Sequence, residues 1–348
     1  METGKKETVF IDGSTGEGGG QILRTSLALS CITGRGLRVE NIRASRRNPG
    51  LGKQHLSCIK AAAEICGGQF NSVKEGSGTL DFRPGRTKGG DFNFDIGSAG
   101  SATLVTQTVL PPLFLAEGPS IVTVTGGTHN PLAPAFDFFS ESFLPAIATA
   151  GFEADCRLIK HGFFPAGGGK ITVGVHRWQK QPGKKINYGN RPGRFRIFAR
   201  IYTARLAGQI AQRQKRLLLK NKLEIEDIEH IEVTDSDGAG NCVMLLLADN
   251  APQIIFTAFG MRGKPSEKVI SEVVNSATHF LSSAAAIDRF LADQVLIYMA
   301  MTASGCYTTD DISLHLRTNI EIIEKFLPVK FAIEPKEGLY RVTCQQLQ

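Results

Sequence analysis

One pattern recurs along this 348-residue chain, and it constrains the fold more than any single motif does. In the first copy a strand covers 8–11 and a helix opens at 21, with Ile22, Leu23, Leu27 and Leu29 on its apolar side. A second strand follows at 37–42, and a second helix at 53–66 carries Leu56, Ile59, Ala62 and Ile65 in phase. Two β-prone runs, 69–74 and 79–82, close the copy. The second copy begins with a strand at 92–96 and opens its helix at 102. It continues with a strand at 121–124, a helix at 135–150, and strands at 154–159 and 170–175. The first-helix starts, 21 and 102, lie 81 apart, and so do the second-helix starts, 53 and about 134. A third copy places helices near 284 and at 318–326, a β-prone piece at 306–309, and strands at 330–333 and 340–343.

The step from 102 to 284 is 182, about a hundred residues beyond the period, so an extra segment interrupts the third copy. It has its own strand at 195–202, basic helix at 206–221, strands at 243–247 and 253–259, and helix at 266–281, the signature of a small α/β unit. Its leading boundary, 180–193, is rich in Lys, Gly, Pro and Asn, as a linker is. The expected fold is therefore α/β in α+β layers. Residues 1–183 and 281–348 form a large three-repeat domain, and 184–280 a small inserted α/β domain.

The stretch 12–24 reads Asp-Gly-Ser-Thr-Gly-Glu-Gly-Gly-Gly-Gln-Ile-Leu-Arg and joins the first strand to the first helix. Free N–H groups and the positive end of the helix dipole meet at such a turn, which suits a phosphate. Glu17 stands among the glycines, and a carboxylate beside a phosphate needs a metal ion or a base to neutralise it. Neither the P-loop nor the dinucleotide fingerprint fits: Gly-Lys-Ser/Thr does not follow, and Gln21 takes the third glycine's place. A flexible turn before a structural helix would read the same way.

Net charge is +7, which admits an anionic partner without requiring nucleic acid. The seven cysteines include no CxxC pair, which points to reduced thiols in a cytoplasmic protein and away from a zinc site. The first eight residues are charged and lack an apolar core, so no signal peptide is expected. The most apolar helix, 104–115, is interrupted by Gln107, Pro111 and Pro112 and is too short to cross a membrane.

Equivalent loops of a repeat gather near a common axis. The three first helices carry Arg24, Gln107 and Asp293 three residues before a leucine. The loops before the second helices carry Arg43, Arg46 and Arg47, then His129 and Asn130, then His315 and Arg317. All are expected to line one cleft. Among the histidines, His161 introduces a loop with four glycines in eight residues, and His315 precedes Arg317 and Thr318. A neutral imidazole at His315 can serve as nucleophile or base, or be a buried structural histidine.

Several stretches together carry a family resemblance: the segment 12–24, the run from Ile42-Arg43-Ala44 through Asn48-Pro49-Gly50-Leu51 to Gln54-His55, Gly97-Ser98-Ala99-Gly100-Ser101, the loop 161–169, Leu291-Ala292-Asp293-Gln294 and His315-Leu316 with Thr318-Asn319. They resemble RNA 3'-terminal phosphate cyclases over nearly the whole chain, most specifically in the loop 161–169. The resemblance implies three repeats of two helices on a four-stranded sheet plus a small inserted α/β domain, related to enolpyruvyl transferases. It implies an ATP- and divalent-metal-dependent (Mg or Mn) reaction in which His315 takes AMP. AMP then passes to an RNA 3'-phosphate, and a 2',3'-cyclic phosphate forms as AMP leaves.

By the same resemblance Glu17 would bind the metal, and Arg24, Arg43, Arg46 and Gln54 would hold the RNA phosphate, to which arginine forks are suited. Gln107, Pro134, Phe290 and Asp293 would lie near the nucleotide. The family often has tyrosine where this chain has Phe290, which keeps a stacking face and loses a hydroxyl. The expected partner is RNA ending in a 3'-phosphate, with no membrane and a homodimer left open. Two alternatives remain: a non-catalytic cyclase-like RNA-binding protein of ribosome assembly, against which His315 in its intact motif argues, and an enolpyruvyl transferase, which would not need the 12–24 turn in this form.

Overall fold

Each repeat runs strand, helix, strand, helix, strand, strand. The first comprises β1 (Val9–Asp12), α1 (Gly20–Thr33), β2 (Leu37–Glu40), α2 (Lys53–Cys66), β3 (Gln69–Phe70) and β4 (Leu80–Arg83). The second comprises β5 (Lys88–Asp95), α3 (Ala102–Phe114), β6 (Glu117–Gly126), a π-helical segment (Phe138–Phe143) leading into α4 (Leu144–Ala148), β7 (Ala154–Lys160) and β8 (Gly169–Val175). The third opens with β9 (Ile186–Tyr188) and is then interrupted by β10 (Arg196–Ala204), α5 (Gln209–Leu219), β11 (Ile225–Val233), β12 (Gly240–Ala248), β13 (Ile254–Phe259) and α6 (Ser266–Ser282). It resumes with α7 (Arg289–Gln294), α8 (Leu296–Thr302), β14 (Ser304–Thr309), α9 (Leu314–Phe326), β15 (Val329–Lys336) and β16 (Leu339–Gln346). These elements are those of a computed structural model that describes residues 7–189, 191, 193–248 and 252–347. Parts of the N-terminus and of the 180–193 linker thus lie outside the described residues.

The repeat is a repeat of topology. The three sheets have the orders β1-β2-β4-β3, β5-β6-β8-β7 and β9-β14-β16-β15. In each, the first pair is parallel and the other two pairs are antiparallel. The fourth sheet, β11-β10-β12-β13, belongs to the interrupting segment. Strands such as β1, β2 and β4 alternate buried and more exposed residues, so these sheets bury one face and turn the other to solvent. The helices they cover lie centrally. α1 touches α2, α3 and α9, and in α3 only Leu104 and Gln107 escape burial. An aromatic cluster joins the second and third repeats, with the Phe152 ring 5.3 Å from Phe114, 5.0 Å from Tyr298 and 4.7 Å from Trp178.

Four expectations change. Residues 184–193 do not belong wholly to the insert, because β9 pairs with β14 in the third sheet. The third first-helix begins at Arg289 rather than near 284, where Asp288 caps it by accepting from the N–H groups of Phe290 (2.8 Å) and Leu291 (3.2 Å). α3 runs on through Pro111 and Pro112, whose fixed φ suits a helix although each removes an N–H donor to the preceding turn. β11 was not expected, because its apolar residues Ile225, Ile228 and Ile231 recur every third position, as in a helix; pairing with β10 overrides that local signal.

Candidate active site

The turn between β1 and α1 is tied to the start of α9. Gly16 has φ +60° and lies so near Thr318 that a Cβ would come within 2.2 Å of Oγ1, so only glycine fits. The Glu17 N–H donates to that same Oγ1 at 3.2 Å, and Thr318 Oγ1 in turn donates to the Leu314 carbonyl at 2.8 Å. Ser313 starts α9 by accepting from the Leu316 N–H at 3.1 Å. His315 is therefore in the first helical turn rather than in a preceding loop, and it faces Glu17. Its Nε2 is 3.6 Å from Glu17 Oε1, and its Nδ1 is hydrogen bonded to Gln21 Oε1. The side chain is 47% exposed, open enough to be reached, whereas Glu17 is 13% exposed.

Charge is concentrated at this point. Arg46 pairs with Glu17 Oε1 and donates to the Glu17 carbonyl at 3.0 Å. The other carboxylate oxygen, Oε2, is buried without a hydrogen-bond partner among the described residues. α1 begins at Gly19 with no side-chain cap, whereas Ser101 caps α3 and Ser313 caps α9. Burial, then the charges of Arg24 and Arg46, hold the His315 imidazole below its ordinary titration range, so the ring is neutral near pH 7.

A polar layer lies beneath. Gly20 packs against it so closely that a Cβ would sit 2.2 Å from His55 Nε2 and 3.0 Å from Arg24 Nη1. Burial, followed by Arg24 and Arg43, pushes His55 down to about 3. Burial pushes Asp293 up to about 8, against the opposing charge of Arg24. Asn319 links the helices by donating to the Asp293 carbonyl (3.1 Å) and accepting from Thr25 Oγ1 (2.7 Å). Gln107 donates to Gln294 Oε1 at 2.5 Å, and Gln294 donates to the Phe290 carbonyl at 2.9 Å. The Phe290 side chain is 45% exposed, with the Arg289 guanidinium 4.9 Å from its ring centroid. Glu17 thus touches both Arg46 and His315, Arg24 and Asp293 act on each other through charge, and Gln107 reaches the Phe290 carbonyl through Gln294.

The remaining candidates are fastened by hydrogen bonds of their own. Arg43 has φ +54° and donates to the Gly50 carbonyl at 2.8 Å. Gln54 Oε1 accepts from the Ser101 N–H at 2.7 Å, and the Pro134 carbonyl accepts from Thr103 Oγ1 at 2.7 Å, so both sit at the start of α3.

Comparison with known proteins gives the family. A model of the family described as RNA 3'-terminal phosphate cyclase matches residues 15–333. The chain belongs to the RNA 3'-terminal phosphate cyclase family. It is similar to proteins of that name from Koribacter versatilis (43% identity; 96% of this chain, 94% of the relative) and Ralstonia nicotianae (41%; 97% and 96%). The protein of that name from Pseudomonas fluorescens is 39% identical, with 99% of each chain covered.

Two features of this cyclase-family chain escaped the sequence reading. Gln21 and Thr318 touch His315 and the glycine turn, yet only their place inside the quoted motifs pointed to them. His129 does not line the cleft: its side chain is fully buried and pairs with Asp137 Oδ2 at 2.9 Å. It stacks on His161 (5.4 Å) and lies 5.1 Å from the Tyr202 ring, while Asn130 donates to the Ala99 carbonyl. The glycines of the 161–169 loop explain this difference. A Cβ on Gly168 would collide with Asp237, and one on Gly240 with the Phe163 ring, so the loop is pressed against the fourth sheet. Asp137 Oδ1 accepts from Tyr202 OH (2.6 Å) and Arg200 Nη1 (3.0 Å), completing a polar joint between the second repeat and that sheet.

Proposed function

We propose that this protein converts an RNA 3'-terminal phosphate to a 2',3'-cyclic phosphate at the expense of ATP. The observation that carries the reading is a neutral, accessible His315 at an uncapped, glycine-rich helix N-terminus, with Glu17 and Arg46 beside it. Nε2 attacks the α-phosphorus of ATP, the N–P bond forms, and pyrophosphate leaves. An oxygen of the RNA 3'-phosphate then takes the AMP from His315, which restores the imidazole. The neighbouring 2'-hydroxyl loses its proton and attacks the activated 3'-phosphorus, and AMP departs. Adenylation thus gives a poor leaving group a good one and divides a hard displacement into easier steps.

On this reading Arg24, Arg43, Arg46 and Gln54 hold the terminal phosphate, for which arginine forks and an amide supply cations and donors. On this reading the exposed Phe290 ring stacks on the adenine, and Gln107, Pro134 and Asp293 serve the rest of the nucleotide. For the divalent ion the donor set fits in a limited sense. The orphan Glu17 Oε2 is a hard oxygen ligand, but no cluster of three or more His, Cys, Asp or Glu side chains suited to a metal occurs among the described residues. An ion held by one carboxylate and by substrate phosphates is the usual arrangement for magnesium, and it would supply charge neutralisation at the triphosphate.

Incubation with α-labelled ATP and magnesium or manganese, without RNA, tests the reading. Label on the denatured chain that is stable to alkali, labile to acid and absent from His315→Ala is the expected result. A folded protein that takes no label with either metal would overturn the reading in favour of a non-catalytic RNA-binding relative.

A further inference from the structure

Gln21 is the second residue of α1 and reaches across to α9, where its side-chain oxygen meets His315 Nδ1. An amide oxygen only accepts hydrogen bonds, so Nδ1 must carry a proton. A neutral imidazole holds a single N–H, which leaves the lone pair on Nε2. That nitrogen is the one that faces Glu17 Oε1, at 3.6 Å, where the α1 N-terminus opens.

We propose that Gln21 is a positioning residue whose side-chain carbonyl selects the Nδ1–H tautomer of His315 and so presents Nε2 to the phosphorus. Free histidine prefers the opposite tautomer, with the proton on Nε2, which would be inert at that nitrogen. Selection by a neutral amide fits the surroundings. The charged groups facing the ring are already Glu17 from the glycine turn, Arg46 from the loop after β2, and Arg24 from α1. A carboxylate at position 21 would orient the ring equally well but would hold it protonated to higher pH. An amide orients without charging. The same contact pins α9 to α1, so the nucleophile is held by two elements of different repeats.

The inference rests on the adenylyl-histidine reading for its consequence, but not for its first readout. In the full chain labelled with 15N-histidine, two-bond 1H–15N correlations identify the tautomer of each ring, and His315 is assigned by its loss in His315→Ala. The wild-type ring is expected as Nδ1–H. In Gln21→Leu it should shift toward Nε2–H, with self-adenylation falling about 10- to 100-fold, the size of loss seen when the partner that orients a metal-binding histidine is removed. Gln21→Glu should keep the wild-type tautomer, recover rate relative to Gln21→Leu at high pH, and move the acid limb of the rate profile upward. A wild-type ring in the Nε2–H form, or a Gln21→Leu protein with unchanged tautomer, would overturn the proposal. Absence of label in wild type alongside an Nδ1–H ring would instead sink the adenylyl-histidine reading and leave the tautomer assignment standing.

Discussion

Asp293 shows how burial sets the chemistry of a single side chain. The carboxyl sits beside Arg24, yet desolvation outweighs the attraction and lifts its titration from 3.8 to about 8. The sign of the consequence follows. The native state keeps a proton that the unfolded chain releases, so stability is full below about pH 4 and drains away as the pH rises toward 8. The ceiling is about 1.4 kcal/mol per pH unit, and the side chain's partial exposure reduces it. Asp293→Asn should therefore be more stable than wild type at pH 9, by about 1–2 kcal/mol, and the difference should close as the pH falls to about 4. Thermal melts at the two pH values check this; equal melting at pH 9 would show that the wild-type carboxylate ionises without cost. Neither effect is legible in the sequence, which places Asp293 on the first helix of its repeat but says nothing of how dry its surroundings are.

At the scale of the element, the start of α1 shows why glycine is retained where propensity opposes it. Alanine is the better helix former, by about 1 kcal/mol over glycine in a helix interior and by less at a first position such as 20. Its Cβ, however, would lie 2.2 Å from His55 Nε2 and 3.0 Å from Arg24 Nη1. His55 cannot easily withdraw, because its Nδ1 accepts the Gly52 N–H at 3.0 Å. Overpacking of this kind costs about 1–3 kcal/mol, so Gly20→Ala should lower stability despite the better helix former, and should displace Arg24. Denaturant unfolding measures the first effect; an unchanged midpoint would mean that His55 yields freely. α2, from Lys53 to Cys66, falls where its apolar spacing puts it, because that spacing suffices when one face is buried. β11 does not, because an edge strand with an acidic face has no period of two to read.

For the molecule as a whole, the fourth sheet must be fastened to the repeats. The fastening is polar: Asp137 and Glu141 on the second repeat meet Arg200 on β10 at 3.0 and 2.5 Å. Burial works against the Asp137 charge, but hydrogen bonds from His129 and Tyr202 and the charge of Arg200 prevail and hold its carboxyl well below the usual range. This contribution is present above the ordinary carboxylate range and is lost progressively as acidification proceeds below it, through the depressed range of Asp137. Asp137→Ala would strand the His129 imidazole and the Tyr202 hydroxyl at once. A loss of about 2–4 kcal/mol is expected, with amide exchange in β10 and β12 accelerating before that in α1. Uniform acceleration across both sheets would contradict a joint at this place.

The sequence by itself determined the threefold recurrence, the position of most helices, the interruption of the third copy, and a glycine turn at a helix N-terminus. These are local properties, written in the spacing of apolar residues and in where glycine and proline fall. Family resemblance, carried by short motifs, brought His315 and its neighbours into one proposal. Tertiary structure alone decided the rest. It returned β9 to the third sheet, hid His129 in the joint beside the fourth sheet, and placed His315 against a turn about three hundred residues away in the chain, with Thr318 taking the Glu17 N–H. It also set the protonation of His315, His55 and Asp293. Those outcomes depend on which groups share a dry, charged space, and no spacing along one chain records that.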